Sequence, residues 1–145
     1  MKTMFLKNRI FSMMMLAFIT LSLVSCDKDD DVKKPTFKEE LTGTWDITSY
    51  KVQGSEYIGV LVNTAILRFF PYTGAQGQFE QEVTFWQEGP EILQGSYSSD
   101  EQKHQITMDY EGETMVANIT ITNGKQMFWE SVMNGSQLVV KATKR

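Results

Sequence analysis

The chain has 145 residues, fourteen basic and eighteen acidic, for a formal net charge of −4, with one cysteine and one histidine. An acidic chain of this kind repels nucleic acid and anionic headgroups, so nucleic-acid binding is not expected. A single Cys and a single His exclude an internal disulfide and a Cys/His zinc site, and no other metal spacing is present.

In chain order, Lys2, Lys7 and Arg9 precede an uncharged apolar run from Ile10 to Val24. Crossing the hydrocarbon core takes roughly 20 residues, and this run is shorter. A basic start, a short apolar stretch and small residues at its end read as a secretory signal over residues 1–25. Without those residues eleven basic and eighteen acidic residues remain, a net of −7.

Leu23-Val24-Ser25-Cys26 resembles the lipobox of bacterial lipoproteins. That resemblance implies cleavage before Cys26, a diacylglyceryl group on its thiol, and acylation of the new N-terminus with chains such as palmitate. Two or three acyl chains hold a protein stably at a membrane, so Cys26 would be a lipid anchor. The alternative is an ordinary secretory signal followed by a chance Cys. Cys26-Asp27-Lys28-Asp29-Asp30 is similar to the export signal of Bacteroidota-type lipoproteins, which implies the outer leaflet of the outer membrane and exposure at the cell surface. Two other readings stay open: inner-membrane retention through the Asp after the Cys, or a solvated acidic stretch with no sorting role.

From Asp27 to Glu40 ten charges leave little to bury, which predicts that residues 26–40 form a flexible tether. Fully stretched, it reaches roughly 45 Å. Residues 41–145, about 105 in number, suit a single domain.

That domain reads as strands throughout. Alternating apolar positions, bounded by Gly, Asn, Asp and Pro, define eight segments: 44–53, 64–70, 78–87, 91–98, 103–110, 113–122, 125–133 and 137–143. Glu111-Gly112, Asn123-Gly124 and Asn134-Gly135 are hairpin signals, because Gly and Asn tolerate positive φ. Short links imply an up-and-down meander, and eight strands with one apolar face remove their edges by closing. The expectation is an all-β, eight-stranded antiparallel barrel. If both Asn-Gly turns held two residues, Ile119 and Val140 would face opposite ways. A three-residue Thr122-Asn123-Gly124 loop restores agreement and keeps Glu130 out of the core. Nineteen residues then point inward: Trp45, Ile47, Leu67, Phe69, Phe79, Val83, Phe85, Tyr97, Ile106, Met108, Tyr110, Met115, Ile119, Ile121, Met127, Trp129, Met133, Leu138 and Val140. Such bulk favours a mostly filled interior, with the Met residues as filler or as the walls of a plastic slot.

Leu41-Thr42-Gly43-Thr44-Trp45 resembles the opening signature of lipocalin/calycin barrels, and residues 41–145 are similar to the short lipocalin-like domains of Bacteroidota lipoproteins. Gly95-Ser96-Tyr97 and Leu138-Val139-Val140 match the middle and closing elements of that pattern. The resemblance implies that Gly43 and Trp45 form the barrel base, with Trp45 as the plug and Lys141, Lys144 or Arg145 as a cationic cover. The domain is shorter than a ligand-carrying lipocalin and shows no second or third signature.

No residue set assembles a nucleophile. His104 reads as solvated, and Glu80/Glu82 and Glu111/Glu113 fall on solvent faces or at turns. No phosphate loop appears and no cofactor is implied, so no enzymatic activity is expected. The link "GSEYIGVLVN" is apolar for a loop, and reads either as a lid over a ligand mouth or as a plug. Candidate residues for a small hydrophobic or amphipathic ligand are Tyr57, Phe69, Phe85, Tyr97, Tyr110 and Trp129. Trp86, Val116, Phe128, Val132 and Val139 point outward, a pattern that marks partner surfaces, so a filled barrel acting as a protein-interaction, scaffold or inhibitor module is the alternative function.

Overall fold

A computed structural model describes residues 33–145, and the compact unit begins at Pro35. The leader, Cys26 and the tether up to residue 32 lie outside the described residues. The chain opens with a short helix, α1 (Phe37–Leu41), followed by β1 (Gly43–Val52), a two-residue strand β2 (Ser55–Glu56), β3 (Val62–Phe69), β4 (Gly77–Phe85) and β5 (Pro90–Asp100). Then come β6 (Gln105–Tyr110), β7 (Glu113–Thr122), β8 (Gln126–Met133) and β9 (Ser136–Lys144). From β3 to β9 each strand pairs antiparallel with the next, β1 pairs with β3, and β1 also pairs with β9. The eight long strands therefore close into an antiparallel barrel with no free edge, as the short links require.

Pairing follows the alternation. Ile119 faces Trp129, and Trp129 faces Val140 across the next ladder, so all three lie inside. The three-residue turn is Asn123-Gly124-Lys125, not Thr122-Asn123-Gly124, because Thr122 pairs with Gln126. Moving the loop by one residue on each side preserves the parity and hence the faces. Asn123 (φ 53°) and Gly124 (φ 63°) take the left-handed conformation that this turn needs.

Fourteen of the nineteen inward residues are buried, and Val83, Phe85, Tyr110, Ile121 and Met133 are partly buried against the same core. The core also holds Phe37, Leu41, Val62, Ala65, Ala117 and Ala142.

Phe37 and Leu41 revise the tether. Residues 37–40 are helical, and Thr36 caps α1 through a capping box: Thr36 Oγ1 accepts from the Glu39 N–H (3.3 Å), and Glu39 accepts from the Thr36 N–H (2.8 Å). Within the helix Phe37 and Leu41 are buried, while Lys38, Glu39 and Glu40 keep some exposure.

The strand directions give the barrel two ends. Beside the start of β1, α1 covers the base. Phe37 stacks on His104 (5.1 Å), and Glu101 accepts from the Phe37 and Lys38 N–H groups (3.0 and 3.1 Å). The ends of β1, β4, β6 and β8, with β2 and its following link, form the other end, the mouth.

Candidate functional site

The base is built shut. Trp45 has no exposed surface, and its indole N–H donates to the Leu41 carbonyl at 2.8 Å. Lys144 Nζ lies 5.1 Å from the Trp45 ring and donates to the Glu40 carbonyl at 2.7 Å, so Lys144 is the cationic cover. Arg145 instead pairs with Asp46 at 2.7 Å, and its guanidinium holds that carboxyl below its ordinary range. Gly43, at φ +132°, lets the Lys144 side chain pass, since a Cβ there would sit 2.8 Å from Lys144 Cε.

Phe69 and Tyr97 belong to this closed end. Their rings meet edge to face at 4.9 Å, and the Tyr97 hydroxyl donates to the Phe70 carbonyl at 2.9 Å. Burial pushes the Tyr97 hydroxyl up to about 12. Both side chains point inward as the pattern predicts, but they sit at the packed base and line neither cavity described next.

Above the base most inward side chains are buried, as their bulk implied, and the remaining space lies toward the mouth. An inner cavity of about 240 Å³ is walled by Leu67, Phe79, Met108, Met115, Trp129 and Val140, with Tyr110 and Met133 toward the mouth. A second cavity of about 290 Å³ lies at the mouth between Val52, Tyr57, Ile58, Val62, Val83 and Phe85. Tyr50 and Gln81 line both. Of the six candidate ligand residues, Tyr110 and Trp129 are on the inner cavity, Tyr57 and Phe85 on the outer one, and Phe69 and Tyr97 on neither. Tyr50, Gln81 and Leu93 line cavities without having been singled out. Tyr50 alternates correctly with Trp45 only after the β1 bulge between Ile47 and Ser49, which simple parity does not anticipate.

The apolar link is both wall and rim. Val62 is buried, Tyr57 and Ile58 pack against the core, and Val60 and Leu61 stand exposed at the tip. Glu56 fastens it. One carboxylate oxygen accepts from the backbone N–H groups of Tyr50 (2.8 Å), Ile58 (3.1 Å) and Tyr57 (3.2 Å); the other accepts from the Ser49 hydroxyl at 2.5 Å. Burial works to raise the Glu56 pKa, but these four donors outweigh it and hold the carboxyl below its ordinary range. Burial, reinforced by Tyr110 and Tyr57, raises the Tyr50 pKa and keeps its hydroxyl protonated.

Glu80, Glu82 and His104 have structural partners. Arg68 bridges Glu80 (2.6 Å) and Glu82 (3.1 Å) on the outer wall, and His104 is engaged with Phe37. Among the described residues no group of three His, Cys, Asp or Glu could hold a metal ion. On the outer surface Trp86, Val116 and Val132 are exposed, whereas Phe128 and Val139 are half-buried. Trp86 lines a rim groove with Val60 and Leu61, while Val116 and Val132 share a groove on β7 and β8.

No family model matches the chain, and no curated protein matches it. Solved structures do match its fold. A redesigned β-barrel, b11L5F_LGL, superposes with a TM-score of 0.59 at 13% identity, over 77% of this chain and 97% of that one. Another redesigned barrel, mFAP1 bound to DFHBI, gives 0.54 at 14% identity, over 77% and 100%. The siderocalin Ex-FABP, described as functioning through dual ligand specificities, gives 0.54 at 10% identity, over 73% and 74%. At these identities the likeness is one of fold, and the fold is lipocalin-like.

Proposed function

We propose that this chain is a non-catalytic binding protein of the cell envelope, which holds a small apolar or amphipathic molecule inside its barrel. The observation that carries the reading is the pair of adjoining apolar cavities between a sealed base and a mouth edged by the β2 link. A barrel of eight strands is just wide enough to keep one small ligand among its side chains. Barrels of the same fold that hold DFHBI or work through ligand specificities support the reading by analogy. In this reading Tyr57, Phe85, Tyr110 and Trp129 contact the ligand, while Phe69 and Tyr97 support the floor. Cys26, acylated after cleavage of residues 1–25, moors the protein to the outer membrane with the barrel facing outward.

Native mass spectrometry of the chain purified from its own membranes tests the binding role. A reproducible small-molecule adduct supports it, and a bare mass across repeated preparations sinks it. Fractionation tests the anchor: Cys26→Ser should move the protein from the membrane to the soluble fraction, and unchanged membrane association overturns the lipid anchor. The exposed pair Val116 and Val132 favours a second reading, a partner-binding outer wall. A bare mass together with a cross-linked partner lost on Val132→Lys would install that reading instead.

A further inference from the structure

The described part of the chain is rich in charge, yet no Asp, Glu, Lys, Arg or His lines either cavity. Polar atoms there come from the phenols of Tyr50, Tyr57 and Tyr110, the amide of Gln81 and the indole of Trp129. The indole is already engaged, donating to Ser131 Oγ at 3.1 Å. Among the described residues the Tyr110 hydroxyl has only the Met133 sulfur, a weak acceptor, at 3.3 Å. Among the described residues the Tyr50 hydroxyl and the Gln81 amide make no side-chain hydrogen bond, and both residues border the two cavities at once.

Such a lining can match a neutral polar group and offers no opposite formal charge to an ion. A carboxylate or ammonium carried inside would lose its hydration with no opposite charge to replace it. The acids near the mouth add to this. Glu56 has its carboxylate committed to the link, and Glu111 and Glu113 lie close enough to Tyr110 to reinforce the effect of burial in raising its pKa. None of these acids offers an anion a counter-charge. The inner wall carries three thioethers, Met108, Met115 and Met133, beside Trp129, a polarizable surface suited to flat unsaturated groups.

From these features, and resting on the ligand-binding reading above, we infer that the barrel selects an uncharged, conjugated or aromatic molecule. Its polar group meets Tyr50 and Gln81 where the two cavities adjoin, and carboxylate-bearing lipids are rejected.

The test uses two probes with one scaffold: neutral N-phenyl-naphthylamine and anionic anilinonaphthalene sulfonate. They are titrated by fluorescence into the mature chain, residues 26–145, with Cys26→Ser so that no lipid competes. The neutral probe should bind at least ~10-fold more tightly, because only the sulfonate must be buried unpaired. Gln81→Arg places a cation between the cavities and should reverse the preference; Leu93→Arg, on the facing strand, does the same should the first variant fail to fold. Equal or tighter binding of the sulfonate by the unsubstituted barrel overturns the selectivity and leaves ligand binding standing. Failure of both probes to bind overturns the ligand-binding reading, and this inference with it.

Discussion

At the scale of single residues, two side chains hold the two ends of the barrel by opposite electrostatic means. Lys144 brings a cation into a half-buried position at the base, where burial lowers its pKa against the pull of Glu40. Its worth lies in the bond to the Glu40 carbonyl and in its cover over Trp45. Lys144→Met keeps the apolar stem but leaves that carbonyl without its donor, and should cost about 1–2 kcal/mol in urea denaturation. Glu56 brings an anion to the mouth and satisfies three backbone donors with it. Its folded pKa lies below the ordinary value of 4.5, so the stabilisation it supplies is complete above pH 4.5 and is lost as pH falls through the lower, folded value. Amide protection at Tyr50 and Ile58 should therefore fall in acid beyond the trend of the other strands, whereas the Tyr57 N–H keeps its bond to the Tyr50 carbonyl at 2.9 Å. Glu56→Gln should show the faster exchange already at neutral pH, with no further acid step.

At the scale of elements, close approach explains two features that composition hides. Gly95 lies where a Cβ would strike the Asp109 carbonyl, and would come within 2.7 Å of the Phe79 ring, so the β4–β5–β6 corner tolerates no side chain there. Gly77 likewise makes room for the Tyr97 ring. Gly95→Ala should lower stability by at least ~2 kcal/mol, since the opposing atom is backbone and cannot swing away. A calorimetric melt with little loss would refute that assignment. The helix α1 contributes as a lid on the base. Phe37 is 6% exposed, and Phe37→Ala should cost about 3 kcal/mol with the barrel strands otherwise retained. A stretch with ten charges over Asp27–Glu40 hid this helix, although Thr36-Phe37-Lys38-Glu39 has the spacing of a capping box.

At the scale of the whole molecule, closure is the decisive property. β9 pairs with β8 along its whole length and with β1 through a bulged ladder, so it is the stave that completes the ring. Truncation after Gly135 would expose two long strand edges and an open core. It should abolish the cooperative thermal transition, not merely lower its midpoint; a shifted but still cooperative melt would mean that the sheet is stable without closing. The same closure sets the mouth, because the bulge in β1 turns Tyr50 toward the interior at the height of Gln81.

Local chemistry written along the chain determined much of this protein by itself. Alternation, Asn-Gly turns and the cost of burying Glu130 were enough to put nineteen residues on the inner face and to close eight strands, since side-chain parity and turn geometry are short-range. The small residues Ala65, Ala117 and Ala142 escaped because a methyl group carries little hydrophobic signal, though Ala117 lies in step between Met115 and Ile119. Only the tertiary structure decided height and emptiness. Phe69 and Phe85 share an inner face but stand at opposite ends of the ring, one packed into the floor and one on a cavity. Whether inward side chains meet depends on distances across the barrel that no pattern along one strand encodes.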